Sequence, residues 1–99
     1  MSARISLHHL VARDLHTALA YYDGEGGSRL SSAFLDDVEA TLARLAENPR
    51  RHHFIATGIR RVQLGRFPYH LLYEENNKDV LVLVLRHDRR HPSYGISRQ

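Results

Sequence analysis

The sequence predicts an α+β domain in which an antiparallel sheet packs against a two-helix hairpin. Residues 80–85 are six consecutive apolar residues that alternate Val and Leu, a pattern typical of a strand covered on both faces. Residues 11–48 instead carry apolar side chains at helical spacing. Turn-forming residues separate the other segments, and the predicted order of elements is β-α-α-β-β-β.

The first strand and the two helices occupy the N-terminal half. Ile5 and Leu7 alternate with polar residues and predict a short strand. A first helical stripe runs from residue 11 to 22, and the glycine-rich residues 23–27 are predicted to end it. A second stripe follows, which consists of Leu30, Phe34, Val38, Leu42 and Leu45. Pro49 disfavours a helical conformation at the residue before it, so the second helix should end there.

Three strands are predicted in the C-terminal half. Residues 50–58 show no period and are expected to form a loop. Strands follow at 59–64, 69–74 and 79–87, separated by turns at 65–68 and 75–78. The last strand is predicted to be internal to the sheet. It leads directly into a cluster of cations and imidazoles at one end of the sheet.

Length and composition limit the class of protein. The 99 residues are expected to form one domain, residues 1–99. The chain has no cysteine, which excludes disulfides and thiolate chemistry. No apolar run approaches the length of a membrane span, and the N-terminus lacks a secretory pattern. We therefore expect a cytoplasmic protein without a membrane partner, and no residue pattern indicates a cofactor.

The two halves of the chain carry opposite net charge. Residues 1–48 contain four arginines against seven carboxylates, a net charge of −3, whereas residues 49–99 contain ten cations against four carboxylates, a net charge of +6. Thirteen of the fourteen cations are arginine, whose planar guanidinium suits forked contacts to phosphate. The basic half indicates a polyanion or an acidic partner. A GC-rich genome would also enrich arginine and histidine, so composition leaves that explanation open.

The histidines do not predict a metal site. Six of the eight occur as pairs at 8–9 and 52–53, and as His87 with His91. No cysteine supports any of these, and the last pair does not lie on a predicted helix. A zinc site is therefore not expected.

Several stretches, taken in order, resemble the RelE/ParE superfamily of bacterial type II toxins. The strongest are residues 59–73, IRRVQLGRFPYHLLY, and residues 84–94, VLRHDRRHPSY. Weaker similarities lie in the helices, at residues 12–22 and 34–49. The resemblance covers about residues 5–98 and implies a toxin that a cognate antitoxin neutralises.

The superfamily resemblance implies one of two activities, and a third alternative is a toxin-like fold that has lost activity and serves as a binding module. ParE-like members poison DNA gyrase without known hydrolytic chemistry, whereas RelE-like members are ribosome-dependent endoribonucleases that cut mRNA. RelE-like enzymes tend to place lysines on the middle strands, and Lys78, the one lysine here, falls in a predicted hairpin loop. We therefore favour a ParE-like toxin that binds gyrase, with a RelE-like mRNA endoribonuclease as the alternative.

The two hypotheses predict partly different functional residues. A RelE-like enzyme would use His87, Arg90 and Tyr94 for proton transfer, phosphate stabilisation and base stacking. Under either hypothesis, the residues expected to contact the target are Arg60, Arg61, Arg66 and Arg89. Structural roles are alternatives: Arg60 could pair with a helix carboxylate such as Glu39, His87 could be a hydrogen-bonded strand end, and Tyr94 could fasten the tail to the sheet.

Overall fold

A five-stranded mixed sheet covered on one face by a bent helix makes up the fold of the computed structural model, which describes residues 2–98. The elements are β1 (Arg4–Leu7), α1 (Val11–Glu47), β2 (Phe54–Ala56), β3 (Ile59–Gln63), β4 (Tyr69–Asn76) and β5 (Asp79–His87). The strand order is β1-β5-β4-β3-β2. The predicted α+β class is confirmed, and β5 is internal, as its apolar sequence indicated.

The helical region differs from the prediction of two helices joined by a loop. α1 is one helical element, and its backbone leaves helical torsion angles only at Gly26 and Gly27. A straight helix of 37 residues would be about 55 Å long, more than the 39 Å of the longest dimension of the chain. The bend lets the rings of Tyr22 and Phe34 stack with centroids 5.0 Å apart. We call residues 11–25 and 28–47 the first and second arms of α1.

The sheet also departs from the predicted antiparallel arrangement. β1 pairs with β5 in parallel, with Leu7 opposite Val82, because the chain crosses over through α1 before it returns to the sheet. Residues 50–58 were predicted as a loop, yet β2 lies among them and pairs antiparallel with β3. Phe54 and Ile55 in this short strand are exposed, so β2 leaves no alternating pattern in the sequence.

A register shift sets which face each residue of β5 occupies. Leu72 is opposite Val84 and Tyr73 is opposite Val82, so Leu83 is an extra residue in β5. Val82 and Leu85 pack in the core beneath α1, whereas Leu83 and Val84 pack in a second, smaller core on the other face.

The C-terminal residues 88–98, which we call the tail, cover that second face. Tyr94 and Ile96 pack against the smaller core. Gly95 has φ of +81°, and a Cβ there would approach the Val84 side chain to 2.7 Å. Only glycine lets the tail lie this close to β5.

Candidate functional site

The end of β5 sends consecutive side chains to opposite faces of the sheet. His87 is opposite Tyr69 on the face that α1 covers, and Arg86 is opposite His70 on the face that the tail covers. The basic cluster predicted at this end of the sheet is therefore divided in two.

Arg86 is buried and fastens the tail. Its Nε donates to Nε2 of His70 at 2.8 Å, and its Nη1 donates to the carbonyl oxygens of Pro92 at 2.7 Å and Tyr94 at 2.9 Å. Burial lowers the pKa of Arg86. These contacts occupy the guanidinium within the fold, so this cation is not available to a partner.

His70 links Arg86 to Asp88 in a buried polar chain. Because the Arg86 Nε–H donates to Nε2 of His70, the neutral ring carries its proton on Nδ1, which lies 2.8 Å from Oδ1 of Asp88. Burial is the main cause that lowers the pKa of His70. Burial alone would raise the pKa of the Asp88 carboxyl, but hydrogen bonds from His70 and Gln63 and the nearby Arg61 cation lower it overall. The ring thus stays neutral between a cation and a carboxylate.

Beyond the end of β1, this edge of β5 has no neighbouring strand, and a buried ion pair hydrogen-bonds its backbone instead. Oδ2 of Asp14 accepts a hydrogen bond from the Leu85 N–H at 3.2 Å, and Nη1 of Arg98 donates to the Leu83 carbonyl at 3.1 Å. Arg98 Nη1 also lies 2.6 Å from Asp14 Oδ2. The hydrogen bonds to Asp14 raise the pKa of Arg98. The ion pair thus satisfies the backbone groups of Leu83 and Leu85 that no neighbouring strand binds.

A cavity of about 130 Å³, which we call the edge cavity, lies beside this pair. The three residues predicted for a RelE-like reaction, His87, Arg90 and Tyr94, all line it. Arg13 and Thr17 of the first arm also line it. The structure therefore brings together the three predicted residues and adds Arg13, which the sequence patterns did not single out.

The geometry limits the chemistry of these three residues. Nδ1 of His87 accepts the Arg89 N–H at 3.0 Å, so the neutral ring carries its proton on Nε2 and presents a donor. The Tyr94 hydroxyl accepts from Arg98 Nη2 at 3.3 Å and lies 3.5 Å from Asp14. The Arg90 guanidinium lies over the Tyr94 ring, 4.0 Å from its centroid. The set offers hydrogen-bond donors and positive charge, but His87 has no free lone pair with which to act as a base.

The four arginines predicted to contact the target differ in their surroundings. Arg60 donates from Nη1 to the carbonyl oxygens of Arg50 and His52 and lies 3.9 Å from the Phe54 ring centroid. Its partners are thus backbone carbonyls, where a helix carboxylate such as Glu39 was expected.

Arg61 donates from Nη2 to the Gln63 side chain at 2.8 Å and to Asp88 at 3.4 Å. Arg66 and Arg89 are exposed. Two of the four therefore hold the fold together, and two face solvent.

The sequence patterns missed three buried ionisable residues, Asp14, His70 and Arg98. Asp14 does carry a signal, since it falls on the apolar stripe between Val11 and Ala18, where a carboxylate requires a partner. His70 gives a similar signal, because it directly precedes two buried leucines in β4. Arg98 carries no local signal, because its partner lies 84 positions away.

Within residues 2–98, no group of three or more His, Asp or Glu side chains is arranged to hold a metal ion. Within the same residues, no helix has the length and apolar character that a membrane crossing requires.

Comparisons with known proteins agree on one family. Residues 5–92 match the family described as "ParE toxin of type II toxin-antitoxin system, parDE". "Toxin ParE2" of Mycobacterium tuberculosis, from strains CDC 1551 / Oshkosh and ATCC 25618 / H37Rv, is 24% identical over 93 residues, which are 94% of this chain and 89% of that protein. 

Among solved structures, a chain of the "Chromosomal ParDE TA system from P. aeruginosa" shares the fold with a TM-score of 0.77, covering 87% of this chain and 96% of the other at 16% identity. The family match covers most of the chain, and the chain belongs to the ParE toxins of type II toxin-antitoxin systems.

Proposed function

We propose that this toxin arrests bacterial growth by binding DNA gyrase in the cytoplasm, and that a cognate antitoxin neutralises it. Membership of the ParE family supports the class of target. One structural observation carries the preference for binding over RNA cleavage: the ring lone pairs that His87 and His70 would need to act as general bases are engaged within the fold.

RNA cleavage requires a base for the 2′-hydroxyl and cations free to stabilise the phosphate. The lone pair of His87 Nδ1 is occupied by the Arg89 N–H, and the Tyr94 hydroxyl contacts Arg98 and Asp14. Beneath the tail, His70 and Arg86 form a hydrogen-bonded chain with Asp88 and the tail backbone. Neither group of residues offers a free base beside free cations, which favours a protein target.

The exposed cations supply the proposed gyrase contact. Arg66, Arg89 and Arg90 are solvent-exposed and lie after β3 and after β5. Cations at the rim of a protein–protein interface attract an acidic surface on the partner and raise the rate of association. Arg61 is only partly free, because Asp88 holds it, and Arg60 contributes mainly by supporting β2.

The antitoxin is proposed to bind across the arms of α1. A shallow groove between the arms is lined by apolar and polar residues, which are Leu19, Ala20, Asp23, Ser31, Ser32 and Leu35. Tyr21 beside it is 58% exposed. An antitoxin segment that folds on binding would place apolar anchors there and acidic side chains on the basic half of the toxin.

Inducible expression tests the function, with and without the antitoxin encoded beside it. We expect growth arrest from the toxin alone, relief when the antitoxin is present, and recovery of a complex at low salt. His87→Gln should keep most of the toxicity, because a binding toxin does not use that ring for proton transfer. A folded His87→Gln variant without toxicity would contradict the proposal and favour the nuclease.

A further inference from the structure

The edge cavity contains a backbone donor that the sheet leaves unused. The Tyr69 carbonyl accepts from Leu64 N at 3.0 Å and from Gln63 Nε2 at 2.8 Å, so the backbone groups of Tyr69 face β3. Tyr69 and His87 are therefore a pair without mutual hydrogen bonds, and the His87 N–H points away from β4. Among residues 2–98 the structure gives this N–H no acceptor. The His87 N–H follows, along the same edge of β5, the Leu85 N–H that donates to Asp14.

Side-chain donors surround the same cavity from three elements. Arg13 extends from the first turn of α1, the His87 ring presents its Nε2–H from β5, and Arg90 extends from the tail. Arg13 and Arg90 are exposed, and no acidic side chain among the described residues pairs with either. Asp14 also lines the cavity, but Arg98 already holds its carboxylate through both oxygens. The charge left without a partner in the cavity is therefore positive.

A carboxylate fits this arrangement better than a nucleic-acid phosphate. Guanidinium groups and a backbone N–H form charge-assisted hydrogen bonds to the two oxygens of a carboxylate. A carboxylate ends a flexible side chain and enters a small cavity end-on. A phosphodiester lies within a chain with a sugar on each side, so its phosphate cannot enter a cavity of about 130 Å³ end-on as a carboxylate can.

We propose that the edge cavity is a carboxylate-binding site that receives an Asp or Glu side chain of the antitoxin. This assignment rests on the proposed function, because the antitoxin supplies the acidic group. Arg13 from α1 and Arg90 from the tail bind the carboxylate oxygens, and the N–H and ring of His87 fix its position at the end of β5. The site couples the first arm of α1 to the tail.

Titration of the purified toxin with sodium acetate, at constant ionic strength made up with sodium chloride, tests the site. Nuclear magnetic resonance reports the backbone N–H and the ring of His87. We expect saturable shifts of these signals in the wild type and in Arg29→Gln, a control that removes an exposed arginine at the bend of α1. Arg13→Gln and Arg90→Gln should each weaken acetate binding by about tenfold, and the double variant should abolish it.

Three results would overturn the assignment. They are the absence of saturable shifts, shifts that persist in Arg13→Gln/Arg90→Gln, and tighter binding of inorganic phosphate than of acetate at the same signals. Amide signals far from the cavity report whether each variant is folded, and the two single variants replace the double variant if it unfolds. 

Co-purification with the antitoxin separates this inference from the proposed function. A double variant that binds the antitoxin as tightly as the wild type would refute the cavity assignment and leave the function intact. A wild-type toxin that binds no antitoxin would refute both.

Discussion

Arg98 and Asp14 form a two-pronged ion pair across 84 positions of the chain, with Nη1 to Oδ2 at 2.6 Å and Nη2 to Oδ1 at 3.1 Å. The side chains are 8% and 3% exposed. The pair joins the first arm of α1 to the tail and completes the hydrogen bonding of Leu83 and Leu85 in β5. One contact therefore fixes the edge of the sheet, the helix and the C-terminal segment.

Arg98→Ala is expected to lower the free energy of unfolding by roughly 3–5 kcal/mol, because it leaves the buried Asp14 carboxylate without its cation. Urea denaturation measures the change. The matched control is Arg4→Ala, which removes a pair with Asp79 whose side chains are 82% and 60% exposed, and which should cost less than about 1 kcal/mol. Equal effects of the two substitutions would contradict the role given to Arg98.

Gly95→Ala should destabilise the chain through two effects that can be separated. Positive φ costs about 1–2 kcal/mol for any residue with a Cβ, and the contact with Val84 adds roughly 1–3 kcal/mol of overpacking. Gly58→Ala is the control, because Gly58 has φ of +73° and open space around it. If both variants lose the same stability, the tail does not press on β5 as described.

Stability should fall as the pH drops below about 6.5, in part because of His70. Burial lowers the pKa of His70 in the folded state, so the unfolded chain binds more protons in this window. The contribution of His70 is complete above the unfolded pKa of about 6.5 and is lost as the pH falls toward the lower folded pKa.

His70→Gln should therefore show a shallower fall in unfolding free energy between pH 7.5 and pH 5.5 than the wild type. Chemical denaturation at a series of pH values measures this slope. His16→Gln controls for the removal of an exposed imidazole. A slope in His70→Gln as steep as in the wild type would show that His70 is not held neutral.

Arg60→Ala and Arg66→Ala should separate support of the fold from contact with the target. Arg60→Ala removes the donor to two carbonyls and the packing on Phe54. It should lower the free energy of unfolding by only about 1–2 kcal/mol, because Arg60 is half-buried. The second should stay within about 0.5 kcal/mol and still weaken growth arrest. Thermal melting and growth curves at matched expression test both. Full toxicity of folded Arg66→Ala would place the contact elsewhere.

The sequence was most informative where the pattern was local. The apolar run of β5 predicted an internal strand, and Pro49 predicted the end of α1 at Glu47, because both depend on neighbouring residues. β2 was missed, since three residues with two exposed side chains produce no period. The register shift beside Tyr73 also has no local signature, although it decides which face each residue of β5 occupies.

The candidate site was predicted less completely than the fold. The grouping of His87, Arg90 and Tyr94 followed from their closeness in sequence at the end of β5. Burial of Arg86 was not predictable, because its partners are carbonyls of a tail that folds back over the sheet. Arg13 enters the edge cavity only because α1 crosses that end of β5, a relationship of tertiary structure.

Inhibition of DNA supercoiling by purified gyrase tests whether gyrase is the target. We expect that rising concentrations of the toxin block supercoiling, that antitoxin restores it, and that folded Arg66→Ala inhibits less. Supercoiling that continues unchanged, with mRNA cleaved on ribosomes by the same preparation, would contradict the account and establish the endoribonuclease.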